Sequence, residues 1–205
     1  MTRYVISRHG HVEGIDPPHF RGRTELPLSD RGRREIAALA SRIAAELPPV
    51  AIYCSPLGRC VETARAVSEA TGIAPQATGD LLDLDYGDWQ GRSHAEMGEL
   101  NPEALTLWYT TPQRMRFPMG ESLQDLAVRA ADMARHIAAS HGDDTVLLVG
   151  HDSIDRVLLL HLLDMPLSSY WRFECSPCSI TVVEVSPGRT RLLKANDTGH
   201  LAGIE

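Results

Sequence analysis

Excess basic charge is absent from this chain. Its 205 residues carry 20 Lys and Arg against 27 Asp and Glu, a formal net charge of -7 with histidine neutral. A protein that binds duplex nucleic acid needs a basic footprint, so nucleic acid is not an expected partner. The same charge repels anions at long range, so any anion site has to be basic locally. Long apolar runs are missing too. The longest, Val157 to Leu163, is broken by His161 and is too short to cross a bilayer, so no membrane partner is expected. No secretory leader is visible, because Met1-Thr2-Arg3 runs straight into a strand pattern. The expected location is the cytoplasm.

Cysteine is sparse, at Cys54, Cys60, Cys175 and Cys178. In a reducing compartment these read as free thiols rather than a disulfide framework. Cys175-Ser176-Pro177-Cys178 has CxxC spacing. It has no second pair to complete a zinc site, and it does not follow the strand-to-helix turn of a redox motif. The expected role is a turn before a strand over 179–185. Repeats, linkers and low-complexity segments are also lacking, and a chain of this length fits one domain over 1–205.

What is present is alternation. Ile36, Leu39, Ala40, Ile43, Ala44 and Leu47 share one helical face. Leu123, Leu126, Ala127, Ala130, Met133, Ala134, Ile137 and Ala138 share another. Ser122 with Asp125, and Ser93 with Glu96, are helix-start signals. Short β-rich runs lie between the helices: 4–6, 50–53, 145–149 and 180–185. The early runs lack period-two alternation, as central strands buried on both faces do. Strand then helix, repeated, predicts an α/β fold with a mostly parallel central sheet flanked by helices in three layers. Residues 80–120 break the rhythm with Gly87, Gly91, Pro102, Pro112, Pro118 and Gly120, and predict a partly helical cap insertion. Its Trp89, Trp108, Tyr109, Met115 and Phe117 either bind a leaving group or fill the core, and core is the expectation for most.

Three predicted strands end in related chemistry. The first runs into Arg8-His9-Gly10. The second reaches Ser55-Pro56, a good N-cap and first helical residue, with Arg59 one turn on. The third reaches Gly150-His151 ahead of a helix over 153–163. Ligands of open α/β sheets sit outside the carboxyl ends of the strands. Helix N-termini and arginine forks there suit a phosphoryl group, which carries about two negative charges and three acceptor oxygens. His94, His136, His141 and His161 lack that setting and read as structural or exposed.

Taken together, Arg8-His9-Gly10, Gly22 to Arg33, "YCSPLGRCVETA", "LDLDYGDWQG", "GESL" and "VGHDSIDR" resemble the histidine phosphatase superfamily, also called the phosphoglycerate mutase-like family, over nearly the whole chain. The ending Asn196 to Leu201 is similar to compact members related to α-ribazole phosphatase. The resemblance implies that His9 attacks phosphorus and holds it as phosphohistidine, while Arg8, Arg59 and His151 stabilise the equatorial oxygens. It also implies no metal and no cofactor, since arginine and histidine supply the positive charge.

Register places the family acid on Asp83, where relatives usually have glutamate. Asp152 is its rival, because His151-Asp152 resembles the acid phosphatase and phytase branch; the arginine-bearing extension of that branch is absent. His11-Val12 departs from the usual residues after the signature, so other substrate contacts are expected from Arg21 and Arg23. The implied substrate is a small phosphorylated metabolite and the implied reaction phosphomonoester hydrolysis. The alternatives are mutase-type transfer, a phosphohistidine-protein phosphatase, or a non-catalytic phospholigand binder. Homodimers are common in the family.

Overall fold

The computed structural model describes residues 1–204. A six-stranded sheet runs in the order β3-β2-β4-β1-β5-β6. The strands are β1 (Thr2–Arg8), β2 (Ala51–Cys54), β3 (Pro75–Ala77), β4 (Thr145–Gly150), β5 (Ile180–Ser186) and β6 (Arg189–Asp197). Pairings among β3, β2, β4 and β1 are parallel, and β5 is antiparallel to both β1 and β6. Alternate residues of the central strands feed two cores. Tyr4, Ile6, Tyr53, Val146 and Leu148 pack toward α5 (Leu123–Ser140) and α6 (Asp152–Leu162). Val5, Ile52, Leu147 and Val149 pack toward α1 (Asp30–Glu46) and α2 (Gly58–Thr71). This is the expected three-layer arrangement.

The predicted helix starts at Ser93 and Ser122 form. Ser93 accepts from the Glu96 amide, and Ser122 with Asp125 closes a capping box. The start predicted at Ser55 does not. The helix begins at Gly58 with Leu57 as its cap and no side-chain capping bond. Strands β3 and β6 were not predicted. β3 has three residues and opens on proline. β6 is an exposed edge strand carrying Arg189, Arg191 and Lys194, so it shows no hydrophobic alternation to read.

The insertion between β3 and α5 holds α3 (His94–Leu100), α4 (Pro102–Thr110) and short 3₁₀ turns. Trp89, Trp108, Met115 and Phe117 are buried in the core beneath it, with the Phe117 ring edge-on to Trp108 at 5.1 Å. Tyr109 stays 47% exposed, which separates it from the others.

Register positions the site. β1 sets Ser7 beside Val149, and β2 sets Cys54 beside the same Val149. The residues that follow, His9, Ser55 and His151, therefore leave the sheet along one edge. α1 is held close to that edge at Gly32, where a Cβ would lie 2.2 Å from the His11 carbonyl oxygen.

Candidate active site

His9 sits at the end of β1 and is 2% exposed. Its Nδ1 faces the Gly10 carbonyl at 2.7 Å, so Nδ1 carries the proton and Nε2 keeps its lone pair. Burial, aided by His151, Arg8 and Arg59, holds the His9 pKa well below the ordinary 6.5. The imidazole is therefore neutral. His151 lies edge-on with ring centroids 5.2 Å apart. It too is buried and held neutral, chiefly by desolvation and then by Arg59 and Arg8. Ser55 does not cap a helix; its Oγ meets His151 Nε2 at 2.8 Å, and Cys60 Sγ is 3.4 Å from the same nitrogen.

The arginines are anchored by backbone. Arg59 donates to the carbonyls of Gly22 and Thr24, each at 2.7 Å. Arg8 donates to the Cys175 carbonyl at 2.8 Å, and its own carbonyl accepts from Cys178 N at 3.0 Å. The CxxC segment is thus the turn that grips Arg8. Its thiols are free and buried, and burial pushes both upward in pKa. Arg8 Nε and Arg59 Nε are buried with no partner in the protein. Buried donors are nearly always satisfied; Arg129 Nε is unpartnered too, but of the three arginines only Arg8 lines the cleft, where an anion can meet it.

Two carboxyl groups share the cleft, and their environments drive them apart. Asp83 is 7% exposed and accepts from Leu84 N at 2.9 Å. Burial raises its pKa above 3.8 even against the pull of Arg59. Asp152 is also desolvated, but Arg156 and Arg8 outweigh that and hold it ionised. Arg156 grips it with Nε and Nη2, both at 3.1 Å, while Arg8 Nη1 lies 3.7 Å away.

A cleft of about 240 Å³ opens over the two carboxyl groups and Arg8, while the buried His9, Arg59 and His151 lie outside its lining. Arg8, Asp83, Asp152 and Arg21 line it, with His94, Tyr109 and Trp171 along a more exposed wall. Arg21 keeps its place, braced by the carbonyls of Gly14 at 2.5 Å and His19 at 3.4 Å. Arg23 does not line the cleft. Its guanidinium pairs with Glu121 at 2.9 Å and Asp85 at 3.4 Å.

Sequence reasoning missed the scaffold of the acid loop. Glu121 bridges Arg23 and Arg129 and accepts from Asp85 N, while both arginines donate to the Asp83 carbonyl. It missed Glu35, whose buried carboxylate accepts from His11 N at 2.8 Å, and Thr63, which links Gly10 N to the Arg59 carbonyl. It also missed His94, which lines the cleft, stacks on Phe20 at 4.1 Å and is held down to about 4, mainly by burial. Glu121 and Thr63 lie inside "GESL" and "YCSPLGRCVETA", but a motif does not show what its side chains touch; no local pattern marks Glu35 or His94. Among the described residues, no group of three or more His, Cys, Asp or Glu is placed to hold a metal, and no helix is long and apolar enough to cross a membrane.

Neutral buried imidazoles beside arginines with unmet donors are the equipment of phosphoryl transfer through histidine. Residues 4–198 match the Histidine phosphatase superfamily (branch 1), and the chain belongs to that family. It is a histidine phosphatase, a phosphoric monoester hydrolase. It is 30% identical to phosphoserine phosphatase 1 of Hydrogenobacter thermophilus over 201 residues, covering 98% of this chain and 95% of that one. It is 25% identical to the adenosylcobalamin/α-ribazole phosphatase of Salmonella typhimurium, covering 95% and 96%. The solved structure of Bacillus stearothermophilus YhfR superposes with a TM-score of 0.90 at 28% identity, covering 98% and 100%.

Proposed function

We propose that the protein is a phosphomonoesterase acting on a small phosphorylated metabolite through a phosphohistidine on His9. One observation carries this reading: a neutral His9 with a free Nε2, among guanidinium donors that no protein atom satisfies.

In the first step the Nε2 lone pair attacks phosphorus in line, and the bond from phosphorus to the ester oxygen breaks. Asp83, whose raised pKa favours the protonated form, gives its proton to the departing oxygen. Arg8, Arg59 and His151 stabilise the charge on the equatorial oxygens. In the second step Asp83, now a carboxylate, takes a proton from water as the water attacks the phosphohistidine. The N–P electron pair returns to Nε2, and inorganic phosphate leaves. The names of the relatives, phosphoserine and α-ribazole phosphatases, support hydrolysis of small esters over mutase transfer.

The test is His9→Ala. It should lose turnover of p-nitrophenyl phosphate and the acid-labile phosphoenzyme, with its circular dichroism unchanged. Substantial residual turnover would overturn the covalent route.

A further inference from the structure

Asp152 is the carboxylate of the cleft wall that an arginine fork grips, and hydrolysis as proposed above leaves it without a task. It cannot be idle charge, because the protein holds it in place. Arg156 occupies one acceptor position on each oxygen. Arg156 is itself fixed by the carbonyls of Tyr170 and Phe173 and lies over the Tyr170 and Trp171 rings at 5.6 and 5.2 Å. A carboxylate offers about four acceptor positions, so roughly two remain. The Asp152 side chain is 24% exposed, and the space it faces is the cleft.

We propose that Asp152 is the specificity-determining residue of this phosphatase: its free acceptor positions receive a hydrogen bond from a neutral donor on the leaving group, whose flat face lies along Tyr109 and Trp171. The inference rests on the phosphatase reading above. The donor is neutral for an electrostatic reason. Arg156, Arg8 and Arg21 already balance the Asp152 charge, so an ammonium gains little there, and a carboxylate is repelled. A purely apolar group strands the acceptor without water, which is costly. The wall beyond adds no charge. His94 is neutral and hydrogen-bonded to the Tyr109 hydroxyl, and Tyr109 and Trp171 offer partly exposed ring faces 5.6 Å apart. Asp152 Oδ1 lies 3.7 Å from Arg8, a proposed phosphoryl ligand, so its partner must sit close to the ester bond; the substrate class is a phosphomonoester of a flat alcohol or phenol with a hydroxyl on the carbon next to the ester-bearing carbon.

Two near-isosteric probes test this, 2-hydroxyphenyl phosphate and 2-methylphenyl phosphate. Wild type should favour the hydroxyl ester in kcat/KM by about tenfold, within the range that an unmet polar group costs. In Asp152→Asn an NH₂ replaces one of the two oxygens, which removes one Arg156 bond and the acceptor positions on that side, so the ratio should fall toward one. Arg156→Lys, which keeps the charge but loses the fork, should reduce the ratio as well. A damaged fold slows both esters alike and leaves the ratio alone. A wild-type ratio near one, or a ratio unchanged in both variants, overturns the proposal while the phosphatase reading stands. Failure of the wild type to cleave either probe or p-nitrophenyl phosphate overturns both.

Discussion

Two aspartates in one cleft are shifted in opposite directions, Asp83 toward its protonated form and Asp152 toward its charged form, and the cause lies in a single neighbour. Asp152 has the fork of Arg156; Asp83 has one backbone amide and the distant pull of Arg59. The group shifted toward its protonated form is the one fit to protonate a leaving oxygen. With an alkyl phosphate, Asp83→Asn should slow phosphoryl transfer by about 10²–10⁴-fold. With p-nitrophenyl phosphate the first step should suffer less, since that leaving group needs little help, and phosphohistidine should accumulate in rapid-quench samples. The pH profile follows from the same shifts. Activity needs His9 unprotonated and Asp83 protonated. The lowered His9 pKa preserves activity below the ordinary histidine value of 6.5, and the raised Asp83 pKa sets the alkaline limb of kcat/KM. That limb should vanish in Asp83→Asn. If it survives there and disappears in Asp152→Asn instead, the acid is Asp152.

At the scale of elements, α6 carries an unresolved cost. Its first turn holds Asp155, 1% exposed, with both carboxylate oxygens unpartnered. The side chain lies against Gly150, where a Cβ would come within 2.2 Å of Oδ1. Burial, reinforced by Asp152, raises its pKa well above 3.8, so the folded state keeps the proton that the unfolded chain releases. The sign follows by linkage. Nothing is lost below the unfolded value of 3.8, and stability falls as pH rises from there through the folded pKa. Asp155→Asn removes the titration at nearly constant shape. Urea denaturation across that window should show the wild type losing about 1–3 kcal/mol relative to the variant. Parallel stability curves would show that Asp155 is ionised in the native state.

Across the whole molecule, a net charge of -7 coexists with a site built to hold a dianion. Arg8, Arg59 and Arg21 supply the positive charge locally, and their hydrogen bonds run to backbone carbonyls. The carboxylate near Arg8, Asp152 at 3.7 Å, is gripped by Arg156, so much of the arginine charge is left for the ligand. This is work that magnesium does in other phosphoryl-transfer sites. Turnover of p-nitrophenyl phosphate should therefore be the same in EDTA and in added magnesium. Loss on chelation with rescue by a divalent ion would refute this account of the charge.

Short-range patterns carried much of the fold. The stripes of α1 and α5, the caps at Ser93 and Ser122, and the unalternated central strands each depend on residues a few positions apart, and a linear sequence displays such spacings directly. The candidates Arg8, His9, Arg59 and His151 stand out in the sequence because three strand ends repeat one chemistry. What only tertiary structure decided was pairing between distant segments. Ser55 reads as a helix cap until β2 and β4 bring it to His151. Arg23 reads as a candidate substrate contact, and only the fold shows that it pairs with Glu121 and Asp85. The CxxC turn reads as a spacer until it grips Arg8, and His94 as a surface residue until the cap lays it along the cleft. Asp83 and Asp152 are the same residue type. Burial and the partner four positions along α6 separate their pKa values, because desolvation and charge proximity are properties of packed space.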